Sequence, residues 1–169
     1  MATFTCTWYN TEVPSNLKVK QVYGLVFTQD GRMLLKVEQK KGKKVYAPAG
    51  GTPEDFDVSR EATLRREFVE EVNTTLKDQV FYVGYQEVNE DNGKNIFAQV
   101  RMTAIIDKIG PIKQDPDNGE VYERLLTSPQ RAIELMNWGE IAKQQVEEAV
   151  KVAKQKLHIT EFSDKEEWV

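Results

Sequence analysis

The hydrophobic period of the sequence changes at about residue 59, and this change constrains the fold more than any other feature. Leu64, Phe68 and Val72 recur at i, i+4 and i+8, which predicts an amphipathic helix over about 59–72 with one apolar stripe. The segments before and after it are strand-like. Strands mixed with flanking helices predict an α/β sandwich layered around one sheet.

Turn signals divide the rest of the chain into elements. Apolar residues on either side of Asp30-Gly31 predict two strands joined as a tight hairpin. Further strands are predicted at 44–47, at 78–90 and 95–107 with a turn at 91–93, and at 120–127. Ser128-Pro129 predicts the start of a helix, and a last amphipathic helix is predicted over about 139–156.

Composition limits the class of protein. The 169 residues predict one domain over 1–169, with an N-terminal extension of about 1–17 and an acidic tail over about 157–169 that is partly disordered unless Trp168 anchors it. A net charge of −4 disfavours nucleic acid as a partner. No segment approaches the roughly 20 apolar residues of a membrane span, so a cytoplasmic protein is expected. The sequence is compatible with a homodimer.

The predicted helix carries a cluster of like charges. Glu67, Glu70 and Glu71 stand at i, i+3 and i+4, where their carboxylates repel one another by a few tenths of a kcal/mol each. A divalent cation would gather them, and Arg66 is spaced to pair with Glu70 and orient it. The alternative is a solvated surface helix. With a single histidine and a single cysteine, any catalytic chemistry is expected to rest on carboxylates.

A glycine pair precedes this helix. Gly50-Gly51 follows the strand predicted at 44–47, and paired glycines allow close backbone approach to a ligand or metal. Such a pair is weak evidence alone. Its position one strand end before a carboxylate-rich helix favours a site over a simple turn.

Together these residues resemble the motif of the Nudix hydrolase family over roughly 18–155. Arg66-Glu67-Phe68-Val69-Glu70-Glu71-Val72 matches the family's Arg-Glu-apolar-any-Glu-Glu core, and Gly50-Gly51 matches its loop. The stretch from Gly51 to Arg66 is one residue longer than the family pattern. The family pattern has a glutamate between its glycine and its arginine. Counted forward from Gly51, that position is Asp57, but counted back from Arg66 it is Val58. Asn73 replaces a glycine that ends the family's helix, and asparagine is the next most tolerant residue in the left-handed conformation.

The resemblance implies an α/β/α sandwich around a mixed β-sheet. It also implies hydrolysis of the pyrophosphate bond in a nucleoside diphosphate linked to another moiety, with Mg²⁺ or Mn²⁺ as cofactor. Glu67, Glu70 and Glu71 are then the expected metal ligands, completed by a backbone carbonyl of Gly50 or Gly51.

Further site residues follow from the same resemblance. Arg66 is expected to orient the ligands, and a later glutamate, Glu120 or Glu123, to join the site as base or extra ligand, with Glu120 favoured. In one strand these two would point to opposite faces. Tyr46 and Trp138 could stack on a base or ring of a small nucleotide-type substrate, although each also suits a core position. The alternative function is a catalytically weak or inactive Nudix-like module that binds a nucleotide.

Overall fold

The computed structural model describes residues 3–169, which form nine strands, three α-helices and one short 3₁₀ turn. In chain order the strands are β1 Phe4–Tyr9, β2 Val19–Gly24, β3 Met33–Lys40, β4 Lys43–Ala47, β5 Ala49–Gly51, β6 Thr74–Glu90, β7 Asn95–Ile109, β8 Glu123–Thr127 and β9 Glu167–Trp168. The helices are α1 Arg60–Val72, α2 Pro129–Met136 and α3 Glu140–Lys156, and the turn is Asp91–Gly93. Within this range no helix is long and apolar enough to span a bilayer.

The strands form two sheets. A five-stranded sheet has the order β1-β6-β7-β2-β5 and is mixed, because β2 runs parallel to β7 while the other neighbours are antiparallel. A four-stranded antiparallel sheet has the order β4-β3-β8-β9. The predicted class, α/β with a mixed sheet, is confirmed, but the strands divide into two sheets where one was expected.

The predicted hairpin at Asp30-Gly31 is wrong beyond its turn. The turn itself forms, with Gly31 at φ 80 and its N–H donating to the Thr28 carbonyl at 3.0 Å. Pairing continues only as far as a bridge between Phe27 and Met33. β2 then continues in the five-stranded sheet and β3 in the four-stranded sheet, so this turn connects the two sheets.

Helix α1 has the predicted ends. The Ser59 hydroxyl accepts a hydrogen bond from the Ala62 N–H at 3.1 Å, as an N-cap residue should. Asn73 ends the helix in the left-handed conformation, at φ 45 and ψ 48, as predicted for the residue that replaces glycine. Leu64 and Phe68, on the apolar stripe, are fully buried.

Two apolar clusters lie on opposite faces of the five-stranded sheet. Because side chains alternate along a strand, Val100 and Met102 of β7 pack with α1, whereas Ile105 and Val83 pack with α3. Gln99 and Arg101 alternate with these α1-facing residues along β7, so their polar side chains lie on the α3 face of the sheet. Of the apolar residues predicted along one side of the last helix, Val150 is partly buried and the others are buried, namely Ala142, Val146, Ala149, Ala153 and Leu157.

Both chain ends take part in sheets. β1 lies within the predicted N-terminal extension and pairs along its whole length with β6, while residues 1–2 of that extension lie outside the described residues. The tail, predicted to be partly disordered unless Trp168 anchors it, adds β9 to β8. The Trp168 ring lies 6.4 Å from the Tyr46 ring, and the Val169 carbonyl accepts from Arg124 Nε at 3.1 Å.

Candidate metal centre and adjoining cavity

Two of the predicted glutamates meet a third carboxylate. Glu67 and Glu70 of α1 lie with Asp117 so that each offers a carboxylate oxygen within 4.8 Å of the other two. Glu67 is 8% exposed, whereas Asp117 is exposed. An all-oxygen donor set of this kind suits a hard divalent cation such as Mg²⁺ or Mn²⁺.

Asp117 was missed by the sequence analysis because it lies in the polar loop between β7 and β8. That loop is tied to the end of α1. Asn73 Nδ2 donates to the Pro111 carbonyl at 2.9 Å, and the Gly110 N–H donates to the Asn73 carbonyl at 2.9 Å. The sequence signal that could have indicated Asp117 is the pair of aspartates in the "QDPDNG" stretch. In the structure the Asp117 N–H donates to Asp115 Oδ1 at 2.8 Å.

Arg66 connects the glutamates to the loop before the helix. Its Nη1 donates to Glu67 Oε1 at 2.9 Å and to Glu70 Oε2 at 3.1 Å, which includes the contact expected from the i,i+4 spacing. Its Nε and Nη2 donate to the two carboxylate oxygens of Asp57, at 3.2 and 2.9 Å. The guanidinium is therefore fixed from two sides, and it orients both glutamates.

Asp57 supports the metal-facing helix through Arg66. Its carboxylate also accepts from the Glu54 N–H and the Thr63 hydroxyl, both at 2.9 Å. The hydrogen bonds from Arg66 hold the pKa of Asp57 well below its ordinary value, despite the opposing effect of burial. The additional residue in this loop is accommodated at the surface, since Val58 is 93% exposed.

The glycine pair fits closely against the helix carboxylates. The Gly50 N–H donates to Glu71 Oε1 at 2.8 Å. Gly50 has φ 148, and a Cβ there would lie 2.2 Å from the Val22 carbonyl oxygen. A Cβ on Gly51 would lie 2.6 Å from the Glu67 carboxylate. Gly50 therefore requires glycine because of its backbone conformation and its approach to the sheet, whereas a side chain at position 51 would displace the Glu67 carboxylate from its present position.

Glu71 makes a buried ion pair instead of joining the three-carboxylate group. Its Oε2 accepts from Lys36 Nζ, and the Lys36 ammonium lies 4.6 Å from the centre of the Tyr122 ring. Burial raises the pKa of Glu71, and Lys36 and the Gly50 N–H oppose that rise. In this arrangement the predicted ligand Glu71 is already neutralised by protein groups.

The remaining glutamates of the centre have raised pKa values. Burial raises the pKa of Glu67 to about 7, against the lowering effect of Arg66 and with a further contribution from Glu71 and Glu70. Burial also raises the pKa of Glu70, to which the Asp117 carboxylate adds. A bound cation would oppose these shifts in pKa, because it stabilises the ionised form of every carboxylate around it.

The structure does not bring Glu120 or Glu123 into this group. β8 begins at Glu123, so the strand predicted from residue 120 is too long, and Glu120 lies exposed in the loop. The Glu120 carbonyl accepts from the Asp115 N–H at 2.8 Å, and Glu123 Oε2 accepts from Lys44 Nζ at 3.2 Å. Glu120 and Glu123 therefore do not share one strand, and they are not related by the alternation of strand faces.

A cavity of about 610 Å³ adjoins the centre, between the α3 face of the five-stranded sheet and strands β3 and β4. Lys36, the partner of Glu71, lines it and so connects the two regions. The cavity is also lined by Tyr23, Gln86, Gln99, Arg101 and Trp138. Tyr46 is not among the lining residues. It is partly buried and packs with the apolar cluster beneath α3.

Comparison with known proteins identifies the fold. No family model matches the chain, and no curated protein does. Solved structures do match: the E. coli ORF135 protein (19% identity, 86% of this chain and 98% of that chain, TM-score 0.60), a NUDIX hydrolase from Nitrosomonas europaea (18%, 79% and 90%, 0.60) and the Bacillus subtilis pyrophosphohydrolase BsRppH (18%, 86% and 91%, 0.59). The chain therefore has the Nudix fold, as its helix motif suggested. At this identity the similarity concerns the fold alone.

Proposed function

We propose that this protein hydrolyses the pyrophosphate bond of a nucleoside diphosphate linked to another moiety, with Mg²⁺ or Mn²⁺ as cofactor. The observation that carries the proposal is the group of Glu67, Glu70 and Asp117 beside a cavity large enough for a small organic group. The similarity to a structure described as a pyrophosphohydrolase agrees with this reaction class.

The residues fit a bound divalent cation. Three carboxylate oxygens converge, two of them on carboxylates whose pKa values are raised by burial and mutual repulsion. When bound, the cation neutralises phosphate charge, polarises the phosphoryl oxygens and lowers the pKa of a coordinated water. Glu71 and the carbonyls of Gly50 and Gly51 remain proposed as further ligands, with Glu71 first having to exchange Lys36 for the metal.

The chain's own groups prepare the reaction. Arg66 holds Glu67 and Glu70 in place, and Asp57 holds Arg66, so the carboxylates do not have to reorganise when charge develops. Lys36 lies at the border of the centre and the cavity, where its ammonium can contact a phosphate oxygen. Tyr23 and Trp138 offer aromatic faces in the cavity to a base or ring.

A panel of nucleoside diphosphate derivatives tests this function. The purified protein should release a nucleoside monophosphate or a phosphorylated moiety from at least one member in Mg²⁺, and none in excess chelator. Glu70→Gln should lower kcat at least a hundredfold with the fold intact. Glu61→Gln, at a partly exposed position of the same helix where the carboxylate pairs with Arg65, should retain full activity. A Glu70→Gln variant as active as the wild type would refute the proposed centre.

We also propose a cytoplasmic protein whose partner is a small molecule and not a polynucleotide. The acidic balance, with a net charge of −4, supports the second part. The homodimer considered from the sequence is a separate proposal. Sedimentation at micromolar concentration would test it, and a single species of 19.4 kDa would exclude it.

A further inference from the structure

One cation in the cavity has no carboxylate partner. Arg101 is 2% exposed and lines the cavity, and no salt bridge joins it to any carboxylate in residues 3–169. The two lysines that line the same cavity are both paired, Lys36 with Glu71 and Lys40 with Glu38 at 3.2 Å. Arg101 therefore contributes an uncompensated positive charge to the cavity wall.

Neutral groups position this guanidinium. Arg101 Nε donates to Gln145 Oε1 at 2.8 Å, Nη1 donates weakly to the Gln99 carbonyl at 3.4 Å, and the guanidinium lies 4.9 Å from the centre of the Tyr23 ring. Among the described residues Nη2 has no hydrogen-bond acceptor. The side chain is held in one orientation, and part of its donor capacity remains for a ligand.

The positioning group is itself part of a chain of amides. Gln145 Nε2 donates to Gln86 Oε1 at 2.7 Å, Gln86 Nε2 donates to Gln99 Oε1 at 3.1 Å, and Gln99 Nε2 donates to Gln21 Oε1 at 3.1 Å. The chain thus connects α3 to three strands of the five-stranded sheet. It rigidifies the cavity floor without neutralising Arg101.

An unpaired buried charge is costly, so its presence needs a reason. Desolvating an ammonium or guanidinium is strongly unfavourable in a protein interior unless an anion offsets it. Burial lowers the pKa of Arg101 to about 10, which still leaves the group cationic at neutral pH. An apolar side chain at this position would avoid the cost. The feature that offsets it is therefore expected to be a ligand.

Strand register gives the distance from the metal centre. Arg101 of β7 stands opposite Tyr23 of β2, and Tyr23 stands opposite Gly50 of β5. With neighbouring strands about 4.8 Å apart, Arg101 and Gly50 are separated by roughly 10 Å between Cα atoms. The Gly50 N–H binds Glu71 at the edge of the metal centre. A group bonded to the diphosphate can span that distance.

From this placement we propose that Arg101 binds an anionic group, a carboxylate or a phosphate monoester, on the moiety linked to the diphosphate. The inference rests on the proposed function, because it assumes that the diphosphate lies at Glu67, Glu70 and Asp117. It narrows the substrate class to derivatives that carry an acidic group beyond the diphosphate. Arg101 is accordingly a residue that determines specificity.

Matched pairs of ligands that differ by one acidic group provide the test. UDP-glucuronate against UDP-glucose tests a carboxylate, and NADP⁺ against NAD⁺ tests a phosphate monoester. Dissociation constants are measured by calorimetry with Ca²⁺ in place of Mg²⁺, and kcat/KM is measured separately with Mg²⁺. The wild type should prefer the acidic member of at least one pair tenfold or more.

Two variants distinguish the effect of Arg101 on ligand preference from the effect of the total positive charge in the cavity. Arg101→Gln should reduce the preference to below threefold while leaving the dissociation constant of the neutral member within threefold. Lys40→Gln, which removes a paired cation from the same cavity, should retain the preference.

The outcomes distinguish this inference from the proposed function. Equal weakening of both members by Arg101→Gln would place Arg101 on the shared diphosphate and overturn the assignment. A wild type that binds no ligand of either pair, or binds both members of each pair equally, would also overturn it. A tenfold preference in binding with no hydrolysis of any member would support the assignment and refute the proposed catalysis.

Discussion

Replacing Glu67 with glutamine should stabilise the metal-free protein in a pH-dependent way. The pKa of Glu67 is about 7 in the folded protein and 4.5 in the reference state. The folded state therefore holds a proton that the unfolded state releases between these values. The stability that this proton contributes is fully present below about pH 4.5 and is lost as the pH rises through about 7. Glutamine cannot ionise and does not lose it.

The size of the effect follows from the shift. A shift of one pKa unit corresponds to about 1.4 kcal/mol, so the full effect is about 3 kcal/mol. Of this, roughly 2.5 kcal/mol falls between pH 5 and pH 8. The difference in free energy of unfolding between Glu67→Gln and the wild type should increase by that amount across this range. Arg66 keeps its hydrogen bonds to Asp57 and Glu70 in the variant, so the helix remains anchored.

Urea denaturation in chelator at pH 5, 6, 7 and 8, followed by tryptophan fluorescence, measures this difference. Glu61→Gln is the matched control, since that side chain of the same helix is 41% exposed and, within residues 3–169, pairs with Arg65 at 2.8 Å. Its difference should stay within about 0.5 kcal/mol at every pH. Saturating Mg²⁺ should stabilise the wild type more than Glu67→Gln. A difference that is flat with pH, or that falls as the pH rises, would refute the burial of Glu67 as an unneutralised carboxyl.

Two further predictions concern neighbouring residues. Lys36→Met should lower the free energy of unfolding by about 3 kcal/mol, because it leaves the buried carboxylate of Glu71 without its cation; a loss below 1 kcal/mol in urea titrations would contradict the ion pair. Asn73→Ala should cost about 2 kcal/mol, since alanine is strained at φ 45 and loses the hydrogen bond to Pro111, whereas Asn73→Gly loses only the bond and should cost about 1 kcal/mol. Equal costs for the two variants, measured by the same titration, would show that backbone conformation contributes nothing there.

The parts of the fold that could be predicted from sequence depend on local interactions. Helix α1 was predicted from its apolar stripe, and the left-handed end at Asn73 from the motif glycine that this asparagine replaces. The turn at Gly31 forms for the same reason. Which partners β2 and β3 choose beyond that turn is decided by contacts with β7 and β8, far along the chain. No local pattern carries that information.

The candidate site divides in the same way. Glu67, Glu70 and Arg66 share one helix, so their spacing alone predicts that they lie together. Asp117 reaches them from another part of the chain, because the loop that carries it is bonded to the end of α1. The prediction that a strand begins at Glu120 is wrong, because β8 starts three residues later. The pairing of β8 with β3 begins at Glu123 and defines that start.

The buried arginine also fixes the sense of the amide chain across the sheet. A guanidinium can only donate hydrogen bonds, so Gln145 must present its oxygen to Arg101 and its nitrogen to Gln86, and the same order passes on to Gln99. Each glutamine could otherwise be rotated end for end. A glutamate in place of Arg101, which can only accept when ionised, would favour reversal of every amide in the series. The four side-chain amides would then exchange their donor and acceptor ends together, and their NH₂ resonances in NMR spectra should shift as a set.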